Sequence, residues 1–245
     1  VGKNETDYVT MTLGGNDAGF SNIIMEACIN NPFTSPNKLT DMIDQNRDHF
    51  EEDGGIRDDL RDVYLDIEAA AGKQAKIIVA GYPKLLDPQG SEVCFSNEDA
   101  TVINEAVTNF NIQIKRLVEE CNASGMEIYF VSVEEAFEGH GAYAQDPFIR
   151  EVKIGTYSQD LVDFTSWTTD DEGKTSVALA SSYSMHPNEN GARAYAACVQ
   201  SKIDELEGIV SNSSSANYST EIMLSVFDIN SRLYGNYTVD IIGRY

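Results

Sequence analysis

Long apolar runs are missing from this 245-residue chain. None approaches the ~20 residues that a helix needs to cross a bilayer, so stable membrane insertion is not expected. Positive charge is scarce as well: 17 Lys and Arg stand against 40 Asp and Glu, a formal net charge of −23. Nucleic acids and anionic lipid surfaces are gripped through Lys and Arg, so neither is expected as a partner. Cysteine is confined to Cys28, Cys94, Cys121 and Cys198, too widely spaced for a zinc ribbon or a Cys-x-x-Cys redox motif. His49 and His140 have no metal-ligand partners at useful spacing. Asp44-x-Asn46-x-Asp48 opens like a calcium loop, but His49 stands at position six and Gly55 at position twelve. That loop needs Gly and Glu there, so the stretch reads as solvated helix surface. No metal and no organic cofactor are expected. The chain also lacks a starting Met and a signal peptide, and Val1 opens almost directly on an apolar segment. Something is therefore expected to precede residue 1.

What is present points to a globular, extracytoplasmic protein. Hydrophobic residues make up 42% of the chain, enough for one substantial core. The acidity itself serves solubility. Asn-x-Ser/Thr sequons begin at Asn4, Asn122, Asn212, Asn217 and Asn236. With an even cysteine count and the acidity, they favour a secreted glycoprotein with disulfides. Four cysteines allow three connectivities. The pairing expected here is Cys121 with Cys198, on neighbouring helices, and Cys28 with Cys94, on loops at one end of a sheet.

Tyr8–Leu13 reads as the first visible strand. Residues 38–72 are polar and acidic, and Ile56, Leu60, Val63, Ile67 and Ala70 mark one helical face, which Gly72 ends. Ala75–Ala80 is nearly all apolar, as suits a parallel strand buried on both faces. Ser96 with Asp99 forms a capping box. It opens a helix whose stripe is Ile103, Val107, Phe110, Ile114, Leu117 and Cys121. Glu127–Val133 is the next strand, and residues 137–184 read as irregular. A last helix follows Pro187, with Tyr195, Val199, Ile203, Leu206 and Ile209 on one side. Alternating strands and helices imply an α/β protein with a parallel sheet. Residues 1–210 form this domain, 211–218 a Ser/Asn-rich linker, and 219–245 a short β tail or the start of a second domain. Within the tail, 221–229 and 237–242 look like two short strands.

In parallel sheets, working residues sit on loops after the carboxyl ends of strands. Gly14-Gly15-Asn16-Asp17, Gly81-Tyr82-Pro83 and the segment Glu134–His140 all fall there. Asn16 on a glycine turn offers an amide donor for an oxyanion. His186, in Ser184-Met185-His186-Pro187-Asn188 ahead of Gly191, offers a proton carrier. Two parts of an acyl-transfer site are thus present. Each taken alone is an ordinary turn former or helix-start residue; their joint occurrence on matching sheet ends is the argument.

These blocks, together with Ala136-Phe137-Glu138-Gly139-His140, resemble the SGNH or GDSL hydrolase family, chiefly its secreted lipases and esterases. The likeness spans roughly residues 5–207. It implies a three-layer α/β/α sandwich of flavodoxin type. It also implies hydrolysis of a small-molecule carboxylic ester, an acylated lipid or sugar, through an acyl-serine. By that resemblance Asn16 is the oxyanion-hole side chain and His186 the general base. Many relatives place Asp three residues before the His; here Tyr183 stands there, and its main-chain carbonyl is assigned to hold the imidazole. Gly15, Tyr82, Phe137 and His140 are expected to line the substrate cleft, with Tyr143 near them.

The family's nucleophile lies in a Gly-Asp-Ser block on an earlier central strand, and that block is absent here. Ser21, Ser181, Ser182 and Ser184 lie near the motifs but read as turn or helix-end residues. The first strands of the sheet are therefore expected to be missing, with the serine upstream of residue 1 and the chain inactive alone. Otherwise another segment fills their place. The rival readings are a non-catalytic binding or adhesion module on the same scaffold, and a carbohydrate-active module whose tail, residues 217–245, begins a sugar-binding domain.

Overall fold

A computed structural model describes residues 6–29, 38–90, 95–152, 165–169, 175–179, 184–209 and 226–227. Its centre is an open parallel sheet with strand order β3-β2-β1-β6. The strands are β1 (Tyr8–Leu13), β2 (Lys76–Ala80), β3 (Ile128–Val131) and β6 (Val226–Phe227). Tyr8 to Met11 stand opposite Lys76 to Val79, and Ile77 to Ala80 opposite Ile128 to Val131. The α/β expectation holds, with strands β2 and β3 slightly shorter than their apolar runs.

Helices α1 (Phe20–Ile29), α2 (Lys38–Glu51), α3 (Ile56–Ala71), α4 (Asn97–Ala123) and α5 (Glu189–Leu206) cover the sheet. Side chains alternate along each strand, so the two faces feed separate cores. Val9, Met11, Leu13, Ile77 and Val79 point into a first core, closed by Leu60 and Tyr64 of α3 and Ile114 and Leu117 of α4. Ile78 and Ala80 point into a second, closed by Ile23 and Ile24 of α1, Ile103 and Val107 of α4, and Tyr195 and Val199 of α5.

Local signals account for the helices. The Ser96 hydroxyl accepts from the Asp99 amide at 3.0 Å, while the Asp99 carboxylate accepts from the Ser96 amide at 3.4 Å, completing the capping box. All six stripe residues of α4 are buried. On α3 the buried line is Ile56, Leu60, Tyr64 and Ala71, rotated from the expected face. Tyr64 is wholly buried while Val63 and Ile67 are only partly so. The Tyr64 ring adds a large apolar area to that line, while its buried hydroxyl has no hydrogen-bond partner among the described residues. Arg57 and Arg61 both bridge to Glu120, tying α3 to α4 at the surface.

Three expectations are corrected. Helix α1 follows the glycine turn directly, over residues to which the sequence reading gives no element. Within 137–184, expected to be irregular, β4 (Thr165–Thr169) and β5 (Thr175–Leu179) form an antiparallel hairpin; Ser and Thr obscured its alternation. Cys121 and Cys198 are not joined. Cys121 is buried in the first core and Cys198 packs against the second, with the sheet between them, and both are thiols. Cys94, the expected partner of Cys28, lies outside the described residues, as does the expected strand at 237–242. Part of the other tail strand is β6, whose Val226 and Phe227 stand beside Thr12 and Leu13. Of the sequons only Asn122 lies among the described residues. Its side-chain amide donates to the Ile128 carbonyl at 2.9 Å and to Met126 at 3.3 Å, so unmodified it closes the turn from α4 to β3.

Leu117→Ala should cost about 2–5 kcal/mol in urea denaturation, because Leu117 is wholly buried in the first core. Burial pushes the Cys121 thiol up. Iodoacetamide at neutral pH should therefore label Cys121 only after urea unfolding, and mass mapping should find no Cys121–Cys198 bridge.

Candidate active site

Strand β1 runs into Gly14-Gly15-Asn16, and three backbone bonds make the turn into α1. The amides of Ala18, Gly19 and Phe20 donate to the carbonyls of Gly14, Asn16 and Gly15. Gly14 takes φ of 96°, a conformation that a Cβ makes costly. The Ser21 hydroxyl donates to Asn16 Oδ1 at 3.1 Å. That engages the oxygen end of the amide and leaves its nitrogen end for an acceptor in the cleft.

His186 is held by its own loop. Its Nδ1 lies 2.9 Å from the Ser184 carbonyl. A carbonyl only accepts, so Nδ1 carries the proton, and in the neutral imidazole Nε2 is the basic nitrogen. A main-chain carbonyl was expected here, but from Tyr183, which lies outside the described residues. Between Ser184 and His186, Met185 takes φ of 60°. Left-handed backbone at a residue with a Cβ costs ~1–3 kcal/mol and persists only where neighbours enforce it. Here Met185 N donates to Arg150 O at 3.0 Å and Arg150 N donates to His186 O at 2.9 Å. Asn188 locks the far side: its side-chain amide donates to the Pro147 carbonyl at 2.6 Å, and its Oδ1 accepts from Gly191 N at 3.0 Å, capping α5.

Asn16 and His186 line one cleft of about 120 Å³. Phe20, Ile24, Leu85, Val107, Ile149 and Met185 give it an apolar wall. Apart from His186, no ionisable side chain other than the phenols of Tyr82 and Tyr195 lines it among the described residues. Burial pushes the Tyr195 phenol well above its ordinary value. It stays protonated and donates to the Gly81 carbonyl at 3.0 Å. Thr12 Oγ1, buried under the same cleft, has no hydrogen-bond partner among the described residues. No group of three or more His, Cys, Asp or Glu able to hold a metal occurs among them either.

The chain is similar in fold to two Streptomyces enzymes. One is an extracellular lipase from Streptomyces rimosus, with TM-score 0.56 and 24% identity over 81% of this chain and 70% of that one. The other is phospholipase A1 from Streptomyces albidoflavus, with TM-score 0.61 and 22% identity over the same shares. No family model matches the sequence, and no curated protein does.

Of the residues expected at the cleft, Gly15 and Tyr82 line it and Phe137 and His140 do not. Phe137 is buried beneath α5, with its ring 5.2 Å from Tyr195 and 5.8 Å from Phe148. His140 stacks on Phe148 at 3.8 Å, with Nδ1 2.7 Å from the Asp146 carbonyl. The apolar wall was missed because α1 and the Leu85 and Ile149 loops carry no chemical motif. The one available signal was the run Phe20-Ser-Asn-Ile-Ile-Met beside Asn16. Asn188→Ala should lower stability by about 0.5–2 kcal/mol in thermal or urea melts, since it removes the cap on α5 and the Pro147 bond.

Proposed function

We propose that this chain is the major part of a carboxylic ester hydrolase that works by Ser-His chemistry with an Asn oxyanion donor. The reading rests on one observation: Asn16 and His186 face the same apolar cleft at the carboxyl ends of parallel strands. His186 Nε2 takes the proton from a serine hydroxyl and returns it to the leaving alcohol. Asn16 Nδ2 donates to the oxyanion of the tetrahedral intermediate, and the apolar wall receives the acyl group. The serine comes from a segment upstream of residue 1. In keeping with this, the described hydroxyls on the cleft are Thr12, Ser21 and Ser184 beside the two phenols, and none stands in a Gly-Asp-Ser block. The fold shared with an extracellular lipase and a phospholipase A1 supports both the chemistry and secretion. The aliphatic and aromatic wall suits the apolar acyl chain of an ester, and the chemistry calls for no metal or cofactor.

The missing Gly-Asp-Ser block favours a second reading, a non-catalytic binding module. Turnover of p-nitrophenyl butyrate separates them. The natural polypeptide that contains this chain should hydrolyse it, and residues 1–245 alone should not. Asn16→Ala in that polypeptide should lose about 10²–10³ in kcat, and His186→Ala should lose more. Serine-inhibitor-sensitive turnover by residues 1–245 would refute the upstream serine. No turnover by either, with acyl ligands still bound, would establish the binding module.

A further inference from the structure

A buried polar side chain in the apolar stripe of α4 is unusual enough to need a reason. Asn111 is 5% exposed, beside Phe110 and one turn before Ile114. Its hydrogen-bonding capacity is directed at one point. Oδ1 accepts from the Tyr82 amide at 2.7 Å, and Nδ2 donates to the Tyr82 carbonyl at 2.7 Å and to Glu134 Oε1 at 2.6 Å. Both amide hydrogens and the carbonyl are engaged. The backbone of Tyr82 is thus clamped on both sides, while Tyr195 holds Gly81 from α5. Gly81 must lack a side chain, since a Cβ there would sit 2.8 Å from Asn111 Oδ1 and from the Phe130 ring.

The clamp fixes where the Tyr82 hydroxyl lies, and that oxygen accepts from Gly15 N at 2.9 Å. A Cβ on Gly15 would meet the same ring at 3.0 Å, so the glycine is there to let the phenol in. Gly15 immediately precedes Asn16. Glu134, Asn111, Tyr82 and Gly15 therefore form a continuous hydrogen-bonded strut from the end of β3 to the residue before the oxyanion donor.

We propose that Tyr82 and Asn111 are positioning residues: they set the Gly15-Asn16 loop so that Asn16 Nδ2 meets an anionic oxygen in the cleft. This rests on the reading of the cleft given above. Preorganised donors stabilise developing charge only when they are already aimed at it. Tyr82→Phe keeps the ring and its contact with Phe110 but removes the acceptor for Gly15 N.

The test measures octanoate and 1-octanol binding to the full chain by NMR, with ¹⁵N label to follow Asn16 Nδ2 and the His186 loop. The two probes share an apolar tail and differ in the anionic head. Wild type should bind octanoate in preference to octanol, with Asn16 Nδ2 shifted by octanoate. Tyr82→Phe should weaken octanoate about tenfold and octanol less than twofold, as expected for loss of a preorganised hydrogen bond to a charged group. Asn111→Ala should show the same selective loss, and the ratio of the two affinities cancels any general loosening of the fold. Equal weakening of both probes, or of neither, would overturn the strut while leaving the reading of the cleft intact. A wild type that does not prefer octanoate, or shows no shift at Asn16 Nδ2, would overturn the reading itself and the strut with it.

Discussion

The parallel register of β1 on β2 governs everything at the functional end of this molecule. Because Met11 stands opposite Val79, the two chains leave the sheet nearly level. The Gly14-Gly15-Asn16 turn and the Gly81-Tyr82-Pro83 turn then emerge side by side. A slip of one residue would exchange the faces of β1 and drive Val9, Met11 and Leu13 out of the first core. The apolar alternation of one strand therefore fixes the position of a polar amide several residues later.

The cleft contrasts with the rest of the surface. Around it lies a chain of net charge −23, yet the cleft wall is aliphatic and aromatic. A neutral environment of this kind strengthens a few well-placed dipoles, because little water or counter-charge competes with them. Asn16 and the imidazole of His186 occupy that setting, each oriented by one neighbour: the Ser21 hydroxyl in one case, the Ser184 carbonyl in the other. The loop carrying His186 accepts left-handed backbone at Met185 to do so.

Much of the scaffold could be read directly from residue order. The stripe of α4, the Ser96–Asp99 cap and the apolar strand before Gly81 each reflect a local rule strong enough to survive tertiary context. Turn chemistry marks Asn16 in the sequence and a loop-to-helix junction marks His186, and both line one cleft. Where reading failed, the deciding interaction was long-range. The face of α3 turned on how Tyr64 packs against α4, and the place of Phe137 on the underside of α5. Cys121 and Cys198 looked like neighbours on a list of helices, but the sheet that divides them is not visible in spacing. Nothing in the local sequence marks Asn111; only the fold sets the Tyr82 backbone against it.

Helix α4 runs past both cores. Its early residues Ala100, Ile103 and Val107 belong to the second core, and its later residues Ile114, Leu117 and Cys121 to the first. One continuous rod of 27 residues therefore penetrates both compartments of the protein. Neither compartment can loosen without disturbing the rod, and the rod transmits the disturbance to the other. The sheet's two sides are thus welded into a single melting unit, and amide protons on opposite sides should exchange through the same global opening.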